Sequence, residues 1–403
     1  MRFMLSMICV IVVSFVLVGC GKGESPSGPT DGGTGSTGEG TIGSGSSARD
    51  AQQGGNFLDV NTFPQNLLVQ GCPRVNCIPA LTDPTFVDAF SADARYLQDT
   101  DLVMGVVANG EAKAYPHNIG WWHEVVNDIV GEQPVVVSLC PLTGTGMVFD
   151  GEWEDGERLY VGVSGLLFNN NLVMYDRSSE ASPTLFPQMT YKGIVGPRQG
   201  QALKLMPVVE TTWGYWKTLY PNTKVISGNT GIYSRDQYMA YPYIQGGEDY
   251  RIVDNFVIYP LSPSYDENQT SGFFRPKHMT LGVRFDDLAK AYPFPSLGTE
   301  SVINDRLAGN DLVVVYYARE GLAIPYYRKI VDNNTERILT FEKAASSTTS
   351  YPFMMKDMET GSTWNLKGEA VSGALSGKQL TQIPAHNAFW FAWSTFWRNT
   401  GVF

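Results

Sequence analysis

The sequence predicts a mainly β fold with a few short helices (α+β), arranged as two tandem pseudo-repeats in one fused body. Three observations carry this. Short apolar runs alternate with Gly, Pro, Asn and Asp, which is the pattern of strands joined by tight turns. Residues 105–223 are echoed in register by residues 282–400, with every matched pair 177 positions apart (282 − 105). Each copy closes on tryptophans three residues apart, Trp213 and Trp216 and then Trp390 and Trp393, as on one helix face.

The chain divides in order into residues 1–19, 20–56, 57–226, 227–279 and 280–403. The first segment is a targeting peptide: Arg2 precedes an apolar run, Met4 to Val18, that is too short to span a bilayer comfortably. It ends in Leu17-Val18-Gly19-Cys20, which resembles the lipobox of bacterial lipoproteins. The resemblance implies cleavage before Cys20 and acylation of that cysteine, hence a membrane partner through a lipid anchor. Gly21 in place of an aspartate implies sorting to the outer membrane of the cell envelope. Residues 20–56 are rich in Gly, Ser, Thr and Pro, so they cannot bury enough surface to offset their ordering entropy and are expected to form a flexible tether.

The rest of the chain, from Phe57, is long enough for two domain-sized cores or one large body. The net charge of the whole chain, −11 with no basic run, argues against nucleic acid as a partner. Of five cysteines, Cys9 leaves with the targeting peptide and Cys20 carries lipid. Cys72 and Cys77 are expected to close a local disulfide in an oxidising compartment, which leaves Cys140 unpaired.

In the first repeat, Leu102–Ala108, Glu111–Tyr115, Pro134–Leu139, Met147–Trp153, Leu159–Val163 and Asn171–Tyr175 read as strands. Asn109-Gly110 predicts a tight hairpin between the first two, whereas Asp286-Asp287 weakens that expectation in the second repeat. Trp213, Trp216 and Tyr220, echoed by Trp390, Trp393 and Trp397, predict a helix packing its aromatic face on a sheet rather than a sugar platform. The connector around Ser227–Tyr238 and Tyr241-Pro242-Tyr243 is too polar and turn-rich for a core element.

The two repeats differ where reactive side chains stand. His117, His123, Glu124 and Cys140 fall opposite Phe294, Glu300, Ser301 and Tyr317. An apolar strand delivers Cys140 to the turn Pro141-Leu142-Thr143-Gly144, which predicts a thiol at a strand end beside a cleft. A nearby His123 would take the thiol proton or lower the thiol pKa, and Glu124 would orient His123 or act as general acid or base. Cys140 and His123, with His117 or Met147, are equally an acceptable set of ligands for a transition metal. Arg235 and Asp236 pair with each other or, with Tyr243, bind a ligand. Asn127-Asp128 recurs as Asn304-Asp305, which favours a turn or cap role for these residues. His278 and His386 lie in no recognisable motif.

The ordered set Ala114-Tyr115-Pro116, Trp122-His123-Glu124-Val125-Val126-Asn127-Asp128, Cys140-Pro141-Leu142-Thr143-Gly144 and Asn171–Asp176 resembles the domain-of-unknown-function family 3179. Thr230-Gly231, Arg235-Asp236, Pro242-Tyr243 and Thr360–Trp364 extend the match over nearly everything after the tether. The resemblance implies a pattern centred on His123, Glu124 and Cys140, and no activity or cofactor. It also implies a second cysteine where this chain has Thr143, a departure that weakens a two-cysteine redox or metal site. Three functions stay open: ligand or metal binding at the Cys/His/Glu site, extracytoplasmic thiol catalysis by Cys140 with His123 and Glu124, and a non-catalytic envelope binding module.

Overall fold

The computed structural model describes residues 67–178, 182–239, 274–346 and 348–403. Cys20, Tyr243 and the segments expected to form the targeting peptide and the tether lie outside the described residues.

The first half opens with β1 (Leu68–Gln70), β2 (Leu81–Thr82) and β3 (Phe86–Asp88), and Cys72 and Cys77 form a disulfide just after β1. A hairpin of β4 (Leu102–Ala108) and β5 (Glu111–Pro116) follows. Its turn holds Asn109 and Gly110 at φ 47° and 83°, the two left-handed positions that a type I′ turn needs. Helix α1 (His117–His123) leads into a meander of β6 (Val125–Val130), β7 (Gln133–Cys140) and β8 (Thr145–Asp150). Next come β9 (Val161–Phe168), β10 (Asn171–Asp176), β11 (Leu185–Pro187) and β12 (Leu205–Met206). β13 (Val209–Thr212), α2 (Trp213–Leu219) and β14 (Lys224–Ile226) complete this half, and α3 (Arg235–Met239) lies in the connector.

The second half repeats much of this order. Hairpin β15 (Met279–Phe285) and β16 (Leu288–Pro293) forms despite its Asp-Asp turn, because Asp286 itself adopts φ 51°. A meander of β17 (Glu300–Leu307), β18 (Asn310–Tyr317) and β19 (Leu322–Tyr327) follows, then the small ribbon β20 (Lys329–Asp332) and β21 (Thr335–Ile338). β22 (Phe341–Ala345), β23 (Phe353–Asp357), β24 (Thr363–Trp364) and β25 (Ala370–Ser372) make a further sheet. β26 (Ala385–Phe389), α4 (Trp390–Phe396) and β27 (Gly401–Val402) end the chain. The fold is thus mainly β with several sheets and short helices. Among the described residues no helix is long and apolar enough to cross a membrane.

Two sheets of like order organise the body: β13-β4-β5-β14-β3 and β26-β15-β16-β27. The first carries β3 on its edge and the second has no counterpart to it among the described residues. In the same way β2 extends the first meander, giving β12-β8-β7-β6-β2, while the second is only β17-β18-β19. Alternation along β4 sends side chains both ways. Met104 and Val106 face the first-half meander with Val135, Val137 and Leu139. Val103 instead packs with Val313, Val315 and Trp364 of the second half, so the two halves share a core.

The echoed residues are scaffold. A Cβ on Gly105 would collide with the ring of Trp216, and one on Gly282 with the ring of Trp393. Each indole N–H is then satisfied within its own half, Trp216 Nε1 by Thr223 Oγ1 (2.8 Å) and Trp393 Nε1 by Thr400 Oγ1 (3.0 Å). Phe389, directly before the helix, is the last residue of β26. The Asn-Asp pairs are not turn or cap residues. Both lie inside strands, where Asp128 accepts from Lys113 Nζ (2.9 Å) and Tyr115 Oη (2.6 Å). Asp305 accepts from Lys290 Nζ (2.6 Å) and Tyr292 Oη (2.7 Å) in the same way. Asn127 and Asn304 tie adjacent strands through main-chain bonds to Val161 and Phe341. The connector also departs from expectation: Tyr238 on α3 is fully buried and belongs to the first-half core.

Candidate functional site

Helix α1 starts directly from Pro116, whose extended backbone (φ −68°, ψ 143°) ends β5. It lies close against β7 because position 120 is glycine: a Cβ there would come within 2.6 Å of the Leu139 side chain. The helix stops at Glu124, which has φ 55° and ψ −32°. That conformation costs a non-glycine residue about 1–3 kcal/mol and needs surrounding structure to hold it. The hold is visible, since Glu124 N donates to Gly120 O (2.8 Å) and Glu124 O accepts from Leu139 N (2.8 Å). One strained residue therefore turns the chain from helix into β6 and projects its carboxyl between helix and sheet.

The carboxyl enters apolar surroundings. Met104, Ile119, Val126, Val137 and Leu139 line a narrow gap of about 10 Å³ beside it, room for one water at most. No described residue hydrogen-bonds the Glu124 side chain. Part of the residue reaches the surface, yet the carboxyl is crowded enough that loss of solvation pushes its pKa up to about 8. At neutral pH Glu124 is chiefly a neutral acid, able to donate as well as accept.

Cys140 is the last residue of β7, as expected, but its side chain faces the core and is 1% exposed. The expected cleft is absent because β9 and β10 cover this face, with Val136, Met147, Leu172 and Met174 around the sulfur. Its Sγ accepts from Leu172 N (3.4 Å) and lies 3.9 Å from Asn170 O. Burial pushes the thiol up to about 11, and the Glu124 charge adds to this. Hydrogen bonds from Thr143 and Leu172 offset only part of it. The neighbouring polar groups are mutually satisfied. Gln188 Nε2 donates to Ser138 Oγ (2.8 Å), and Asn171 Nδ2 donates to Gln188 Oε1 (2.8 Å) and Thr143 Oγ1 (3.0 Å). Thr143, which stands in the place of a second cysteine, is thus part of the brace that holds the turn after β7.

His123 does not serve the thiol. Its Nδ1 bonds Pro79 O (2.7 Å) and its Nε2 bonds Tyr238 Oη (2.7 Å), which is also bonded to Thr230 Oγ1 (2.5 Å). A carbonyl partner makes Nδ1 the protonated nitrogen, so Nε2 accepts from Tyr238. Burial lowers the His123 pKa to about 4, against a smaller upward pull from Pro79 O. The expected thiol–imidazole dyad is therefore not formed, since the helix turns the ring toward α3 and away from β7.

The other candidates separate too. Among the described residues no three His, Cys, Asp or Glu side chains converge as metal ligands, so Cys140, His123 and His117 are not assembled as a set. Arg235 pairs with Asp93 (2.8 Å) rather than with Asp236. His117 instead lies 3.7 Å from Glu210 on β13, both buried. Glu210 and Tyr238 were not singled out in the sequence. Glu210 had a signal, since it stands opposite Asn387 across the 177-residue echo; Tyr238 had none outside the connector's aromatic content.

The chain is a mainly β protein of several sheets and short helices, in which Glu124 and Cys140 occupy separate surroundings among the described residues. Residues 75–400 match the model of the family described as protein of unknown function (DUF3179), and the chain belongs to that family. No curated protein and no solved structure matches it.

Proposed function

We propose that this chain is a lipid-anchored cell-envelope protein that binds a small ligand at Glu124, in the first half of its folded body. The observation that carries the proposal is the Glu124 carboxyl: without a hydrogen-bonding partner among the described residues, raised to about 8, and held on a strained backbone beside a narrow apolar gap that a ligand would enter by displacing the flexible Met104 side chain. Binding is favoured over thiol catalysis because the Cys140 thiol is buried and protonated and His123 is committed to Pro79 and Tyr238. It is favoured over metal binding because the ligand set does not converge. The 177-residue echo supports a duplicated unit whose second copy keeps the scaffold without the site. Anchoring rests on Leu17-Val18-Gly19-Cys20 and the Gly/Ser-rich tether, with the outer membrane as its place.

The test is native mass spectrometry of the full chain purified in detergent from its own envelope. Wild type is expected to carry a bound small molecule that Glu124→Gln loses while remaining folded. A ligand-free wild type, or a ligand retained by Glu124→Gln, overturns the binding proposal. Rapid alkylation of Cys140 in the native protein at pH 7 would restore thiol chemistry. Separately, Cys20→Ala should move the protein from the membrane to the soluble fraction.

A further inference from the structure

We infer that Glu210 and His117 belong to the same site as Glu124, and that its ligand presents a cationic N–H donor group, an amine or a guanidinium. This rests on the binding role just proposed and adds the ligand's charge to it.

Glu210 lies in β13 directly opposite Met104 of β4 and is 4% exposed. No described donor reaches either of its carboxyl oxygens. The nearest candidate, His117 Nε2, lies at 3.7 Å, beyond hydrogen-bonding range. A buried carboxylate without donors is costly, and natural cores keep one where something supplies the missing partner. The place beside it is closely filled: a Cβ on Gly146 would come within 2.9 Å of Glu210 Oε2 and 2.6 Å of Met104 Sδ, so a ligand reaches Glu210 only where Met104 gives way. In the second half the corresponding residues are Phe294, Ala323 and Asn387, none of them titratable. The first half thus differs from it at three positions in a single coherent sense.

Met104 connects this pair to Glu124. Its side chain lines the space beside Glu124, and its Sδ would lie 2.6 Å from a Cβ on Gly146, next to Glu210. An unbranched thioether moves readily between rotamers, so displacement of Met104 joins the two carboxyl groups into one elongated pocket. Among the described residues no lysine or arginine pairs with Glu124 or Glu210. Such a pocket repels anions, and a purely apolar guest would leave Glu210 unsatisfied, whereas an N–H cation would satisfy Glu210 and rest its stem on Met104, Ile119 and Leu139.

Four isosteric probes test this on the full chain in detergent: n-butylamine, n-butylguanidine, n-butanol and butyrate, followed by thermal shift and calorimetry. The two cations are expected to raise the melting temperature and to bind at least tenfold more tightly than butanol, with no binding of butyrate. Glu210→Gln should weaken cation binding about tenfold or more, and Met104→Ala should strengthen it. If Glu210→Gln does not fold, as judged by its own melting curve, Glu210→Asn, which introduces the residue of the second half, should also lose the cation preference. The inference is overturned if butanol or butyrate binds as well as the cations, if none of the probes binds, or if the variants bind the cations like wild type. A co-purified ligand lost in Glu124→Gln but indifferent to Glu210→Gln would sink this inference and leave the binding proposal intact. Absence of both would sink the two together.

Discussion

The two hairpin sheets of this protein are built by the same contacts, yet they stand over different interiors. In each, a glycine lets an indole lie flat on the strand, and a threonine seven residues beyond the tryptophan takes its N–H. In each, a lysine and a tyrosine from the second hairpin strand converge on one aspartate of the meander. Behind these shared features the meanders diverge. Ser138, Cys140 and Thr145 in the first half stand where the second has Val315, Tyr317 and Leu322. The polar set is braced by Gln188 and Asn171, whereas Val315 and Leu322 join a continuous apolar core. The difference separates what the fold needs from what the first half adds, and each shared or divergent contact can be tested against its partner.

The largest effects should come from the shared contacts. Trp216→Ala and Trp393→Ala each remove a fully buried indole and its hydrogen bond, and each should cost about 3–5 kcal/mol by denaturant titration. A large cost in one half and a negligible one in the other would break the equivalence of the two sheets. Next are the two aspartates. Asp128→Ala leaves Lys113 buried without its partner and should cost about 3 kcal/mol, since that pair is 11% and 6% exposed. Asp305→Ala should cost less, about 1 kcal/mol, because Lys290 and Asp305 are more open to solvent. The Asp305 pKa lies below its ordinary value: Lys290 and Tyr292 lower it further than burial raises it. Its contribution is therefore full above the unfolded pKa near 3.8 and is lost as pH falls through the lower folded value.

Much of this scaffold was legible because periodicity and turn chemistry are local. Six of the fourteen first-half strands, β4, β5, β7, β8, β9 and β10, are recognisable from their apolar runs, β8 and β9 with displaced ends, and the Asn109-Gly110 turn from its need for two positive φ values; β6 is not. Function was less legible because it depends on side-chain direction. Cys140 was placed at the end of β7, but the face it takes follows from the strand's alternation against β9 and β10, which lie later in the chain. His123 and Cys140 are near in sequence, yet α1 turns the imidazole toward Tyr238, more than a hundred residues away. Glu124 was found, but the reason it matters, a left-handed backbone under an apolar cover, exists only in three dimensions.

Glu124 gives the next effect and a direct probe of the divergent interior. In the unfolded chain its carboxyl ionises near 4.5, in the folded chain near 8. Between those values the native state holds the extra proton, so stability falls as pH rises from about 4.5 to about 8. Glu124→Gln removes that dependence and should be the more stable form at pH 8.5, by about 2 kcal/mol after allowing for partial exposure. His123 acts in the opposite direction: its pKa near 4 makes the native state lose stability as pH falls below 6.5. Comparing wild type with Glu124→Gln at each pH isolates the carboxyl, because both proteins carry the same His123. The second half has Ser301 at the corresponding position and supplies no matching slope.

The smallest effect concerns the turns of the two hairpins. The first uses Asn109-Gly110, two residues that accept positive φ at little cost. The second places Asp286 at φ 51° while Asp287 stays on the ordinary side, so only its first turn residue is strained. Asp286→Gly should therefore relieve the strain and remove a carboxylate beside Asp287, while the added flexibility of glycine in the unfolded chain opposes part of the gain. The net expectation is a stabilisation of about 0.5 kcal/mol, read as a small rise in the denaturant midpoint with an unchanged slope. The reverse change in the first half, Gly110→Ala at φ 83°, meets no neighbouring atom within 4 Å, so its cost is purely conformational and should be about 1 kcal/mol. If both substitutions destabilise equally, the two turns are held by their sheets and not by their own backbone preferences. Opposite signs would show that the second hairpin has kept its register while tolerating a poorer turn.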